Sequence, residues 1–65
     1  MDTILTETVD KLVALGFYVN KVDSDGSAMM LRKQGPSTRY AEVECFDGKT
    51  VTVNGVSFEA YAKSL

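Results

Sequence analysis

Apolar side chains at Ile4, Leu5, Val9, Leu12, Val13 and Leu15, with Thr8 among them, recur at spacings of three and four. That is the period of a helix with one apolar stripe, and it predicts a helix over about residues 3–15. Asp2 or Thr3 suits the N-cap, and Glu7 stands toward the positive end of the helix dipole. Gly16 falls where a helix leaves through a left-handed residue, and Phe17 after it can pack back on Leu12.

Beyond the helix the period shortens to two. Phe17 to Asp23 is rich in β-formers, and Ser24-Asp25-Gly26-Ser27 reads as a turn. Ala28 to Gln34 reads as a second strand, Gly35-Pro36-Ser37-Thr38 as a turn, and Arg39 to Phe46 as a third strand. Asp47-Gly48 makes another turn before a short fourth strand, Lys49 to Val53. Two signals compete at the end of the chain. Asn54-Gly55 suits a hairpin onto a fifth strand, Val56 to Glu59. Against it, Ser57 can cap a helix that places Phe58, Tyr61, Ala62 and Leu65 on one face, with Val56 stapled to Tyr61. Four periodic positions, a cap and a staple outweigh one turn dipeptide. The expected fold is α+β: one small domain over residues 1–65, in the order α-β-β-β-β-α. It is an antiparallel meander packed with an N-terminal and a short C-terminal helix.

Alternation sorts the third strand into two faces. Ala41, Val43 and Cys45 point one way, and Tyr40, Glu42, Glu44 and Phe46 the other. If the 35–38 loop pairs Gln34 with Arg39, Met30 lies opposite Val43 and Ala28 opposite Cys45, forming an inner face beneath the helix. The outer face then carries Met29, Leu31, Lys33, Tyr40, Glu42, Glu44 and Phe46, with Lys33 near Glu42. Its apolar members would expose about 300 Å² or more, the size at which a patch on a small monomer suggests binding. Met29, Leu31, Tyr40 and Phe46 ringed by charge also have the composition of an interface core and rim.

Composition narrows the chemistry. A chain of 65 residues buries only about 60% of its unfolded surface, so its stability is expected to be small. The single cysteine makes no internal disulfide, and cysteine–histidine zinc spacing is absent. With no histidine, the chain has no serine–histidine or cysteine–histidine catalysis. A net charge of −2 argues against a dedicated duplex-DNA binder. No apolar run approaches a membrane span, the N-terminus lacks a secretory pattern, and a free cysteine fits a reducing compartment. The expectation is a soluble cytoplasmic protein with no cofactor and no metal.

The remaining candidates are weak. An EF-hand frame with Gly26 at its sixth position puts Lys21 and Arg32 where acidic ligands belong, so Asp23 and Asp25 read as turn residues. Glu42 and Glu44 sit about 7 Å apart by strand rise, a spacing that paired catalytic carboxylates can use and that any solvated strand face also shows. Cys45 on the inner face reads as a small core residue. Arg32, Lys33 and Arg39 flank the 35–38 loop and form the one basic cluster, which with Tyr40 makes a small polyanion site conceivable.

Apart from its short fourth strand, the order of a helix, three strands and a helix is similar to the double-stranded-RNA-binding domain. That family carries a basic cluster at the start of its last helix. Here the stretch is Ser57-Phe58-Glu59-Ala60, with Lys63 near the end, so the RNA-binding residues do not carry over. Asp47-Gly48-Lys49-Thr50-Val51-Thr52-Val53 resembles the strand segment near the active region of HicA-type toxins. Their ribonuclease chemistry rests on a histidine that this chain lacks. The resemblances support the fold and argue against both activities. The functional expectation is a non-enzymatic protein-binding module, an inhibitor or adaptor of the size found among phage and mobile-element accessory proteins. It would use Met29, Leu31, Tyr40, Glu42, Glu44 and Phe46 on a protein partner or a second copy. The alternative is a nucleic-acid accessory protein using Arg32, Lys33 and Arg39.

Overall fold

The computed structural model describes residues 3–23, 26–45 and 48–65, with the side chains of residues 3 and 4 excepted. Helix α1 (Thr3–Ala14) is followed by strands β1 (Tyr18–Val22), β2 (Ala28–Gln34), β3 (Ser37–Cys45) and β4 (Val51–Val53), then helix α2 (Phe58–Lys63). The strands form one antiparallel sheet in the order β1-β2-β3-β4, the expected meander between two helices.

α1 buries Leu5, Thr8, Val9 and Leu12. Val13 and Leu15, placed on the same stripe by spacing, are 50% and 39% exposed, so the stripe that α1 buries is narrower than the spacing suggests. Thr3 is already helical, and Asp2 lies outside the described residues, as does the centre of the 24–27 turn. Glu7 stands beyond the first turn, where the dipole no longer favours it. The other end follows the sequence closely. Gly16 has φ 98°, its N–H donates to Val13 O at 3.0 Å, and the Phe17 N–H donates to Leu12 O at 3.1 Å. These paired bonds close a helix around a left-handed residue and swing Phe17 into the core.

β2 and β3 are joined through Gly35-Pro36 alone. Gly35 at φ 61° opens a two-residue hairpin loop that pairs Gln34 with Ser37, not with Arg39. The third strand therefore starts two residues earlier than expected. Met30 lies opposite Ala41 and Ala28 opposite Val43, and Lys33 faces Thr38 while Glu42 faces Met29. The expected proximity of Lys33 and Glu42 is thus overturned. A slip of two residues preserves the sheet faces, so the inner set survives the correction. Ala28, Met30, Ala41 and Val43 are buried against Leu5, Val9, Leu12, Phe17, Val53 and Tyr61, with Cys45, Val51 and Phe58 half-buried at the margin.

The two signals at the C-terminus are both used. Asn54 (φ 53°) and Gly55 (φ 84°) make a tight turn that closes Val53 onto Val56 through one bridge. Ser57 then caps α2, its Oγ accepting from the Ala60 N–H at 3.2 Å. The fifth strand is limited to that bridge. Tyr61 packs over Phe17 at 6.2 Å between ring centroids, and the Lys11 ammonium lies 5.4 Å from the Phe58 ring. Both helices are thereby held to one face of the sheet.

Candidate functional site

With both helices on the inner face, no helix among the described residues covers the outer one. Register and alternation place its side chains in rows across the strands. One row is Tyr18, Leu31 and Tyr40, and the next is Lys21, Met29 and Glu42. Lys33 and Thr38 flank the first row, and Glu44 and Thr52 flank the second. Tyr40 is 60% and Tyr18 47% exposed, while Met29 and Leu31 are half-buried between strands. A continuous apolar row with aromatic ends therefore faces solvent, with lysines toward β1 and β2 and glutamates on β3.

Of the expected binding residues, Met29, Leu31, Tyr40, Glu42 and Glu44 share this face. Phe46 lies outside the described residues. Tyr18 was missed as a member. β1 is apolar on both sides, and a bulge between Val19 and Lys21 shifts its register, so only pairing with Leu31 shows which way Tyr18 points. The bulge and Lys21 also blunt the free edge of β1 against pairing with another strand. Lys21 Nζ lies 3.3 Å from Asp23 Oδ1, an exposed pair of little energetic weight.

The basic cluster is divided between the two faces of the sheet. Arg32 and Arg39 face each other on the inner side, and Lys33 points to the outer side. Arg32 is occupied by the fold: its Nη1 donates to Leu15 O at 3.0 Å, and its Cζ lies 5.1 Å from the Phe17 ring centroid. A cation there satisfies a terminal helix carbonyl and complements the negative end of α1. Arg39 Nε donates to Gln34 Oε1 at 3.2 Å.

Among the described residues there is no pocket, and no three histidine, cysteine or acidic side chains converge on a metal-sized site. Cys45 is half-buried and free, at the edge of the core. No described helix is long and apolar enough to cross a membrane. No protein-family model, curated protein or solved structure matches the chain.

Proposed function

We propose that this protein is a non-enzymatic binding module that docks a protein partner on its outer sheet face, as an inhibitor or adaptor. The observation that carries the reading is the Tyr18–Leu31–Tyr40 row, exposed at both ends on a face that neither helix covers. Large aromatics dominate interface energetics, and a rigid sheet presents them with little ordering cost. Glu42 and Glu44 form the acidic rim on β3 that favours a basic partner surface and speeds encounter. The arginines lend the polyanion alternative less support, since Arg32 is engaged with Leu15 and Phe17.

The test is capture of a partner with the parent chain as bait, followed by affinity measurement with variants. Tyr18→Ser with Tyr40→Ser should lower affinity at least about ten-fold, as loss of two aromatic anchors does, with the fold retained. Lys33→Ala with Arg39→Ala should leave a protein complex intact and weaken a nucleic-acid complex. Unchanged affinity in the tyrosine variant refutes the outer-face reading.

A further inference from the structure

Asn54 leaves β4 in a left-handed conformation and turns its side chain back along β3. Its backbone N–H donates to Glu42 O at 2.9 Å. Its Oδ1 accepts from the Glu42 N–H at 2.7 Å, and its Nδ2 donates to Tyr40 O at 3.1 Å. One carboxamide thus stands in for a peptide unit and extends the β4 ladder past the point where the chain turns away. Tyr40 O also accepts from the Tyr61 hydroxyl at 3.1 Å, so α2 is fastened at the same place.

Asn54 is also the asparagine of this chain that precedes a glycine, the pairing in which a side-chain amide is most readily lost. We propose that Asn54 is a deamidation site gated by the fold. The Gly55 backbone nitrogen attacks Asn54 Cγ, forming an N–C bond and releasing its proton to solvent. Nδ2 takes up a proton from solvent, the Cγ–Nδ2 bond breaks and ammonia leaves, giving a five-membered succinimide. Water then opens the ring at either carbonyl, leaving an aspartyl or isoaspartyl linkage at position 54. No electrons are exchanged. Gly55 brings no side chain to hinder its own nitrogen, and the space beside its Cα is open, since a Cβ there would meet nothing within 4 Å. The restraint is the carboxamide itself, held to Glu42 and Tyr40 by both ends of its amide. The corner must open before the ring can close. The product cannot remake the lock. A carboxylate has no proton to donate to Tyr40 O, and the isoaspartyl linkage adds a methylene to the main chain. Conversion is therefore a one-way loosening of the corner that holds α2.

The experiment ages the full chain at mildly alkaline pH, in buffer and in urea, and reads positions 54 and 20 by peptide mass mapping. Asn20, which precedes Lys21, is the internal control. In urea, position 54 should convert much faster than position 20. In buffer, position 54 should convert at least about ten-fold more slowly than in urea, because reaction waits on local opening. Equal rates at position 54 in buffer and urea overturn the gating, and no conversion there in urea overturns the site. Asn54→Asp should melt lower and exchange the Glu42 amide hydrogen faster than the parent, or fail to fold. Melting and exchange identical to the parent overturn the claim that the product cannot relock.

Discussion

Ala41 and Val43 on β3 are fully buried, while Tyr40 and Glu42, each one position away, stand exposed. β2 repeats the contrast more softly: Ala28 and Met30 are buried, and Met29 and Leu31 half-buried. Both faces contain large apolar groups, so hydrophobicity alone does not separate them. The difference is where the helices attach. α1 turns back through Gly16 and Phe17 onto the inner face, and α2 is drawn there by Tyr61 and Phe58. Beneath the helices the inner face is built of Ala28, Ala41 and Val43 around Met30, and the small side chains let helices approach closely. The outer face has aromatic ends and charges at its rim, and among the described residues it stays in water.

Val43 is where the two faces differ most in what they tolerate. Val43→Asp puts an uncompensated carboxylate in the fully buried side, at a cost of several kcal/mol. A core of this size supplies about 3–5 kcal/mol, so the variant should lose its dispersed NMR spectrum. Gly16→Val tests the connection that sends Phe17 inward. A β-branched residue resists φ 98°, and a Cβ there would meet Arg32 Cδ at 3.2 Å. The expected loss is about 1–3 kcal/mol, read as a lower melting temperature in thermal denaturation. Tyr61→Phe should cost about 0.5–1.5 kcal/mol, toward the lower end because Tyr40 O keeps its bond from Asn54. A calorimetric change beyond that range would mean that the hydroxyl does more than fasten α2. At each site, Tyr18→Ser and Tyr40→Ser should change stability least, by about 0.5 kcal/mol or less, measured by urea denaturation. A large loss would show that the outer face contributes to the fold and is not held for a partner.

Much of this contrast was legible before any coordinates. Strict alternation in 39–46 separates the two faces, and the separation survives the two-residue correction in register because side chains repeat with period two. The Gly16 cap was equally readable, since its bonds join residues within one turn. The register itself was not. Gly35-Pro36 and a four-residue loop are both compatible with the local residues, and only pairing along the strands chooses between them. Tyr18 was hidden for a related reason: β1 carries apolar residues on both sides, and its bulge is defined by its partner strand.

The element order, the Gly16 and Ser57 caps and the small apolar inner strip follow from the sequence, because each depends on nearby residues or on simple alternation. The paired sheet was needed to settle which basic residues meet, which side the C-terminal helix takes and what Asn54 holds. Those outcomes depend on contacts between residues far apart in the chain: Arg32 with Leu15, Tyr61 with Tyr40, and Asn54 with Glu42. No local pattern encodes a hydrogen bond whose geometry exists only after the sheet has paired.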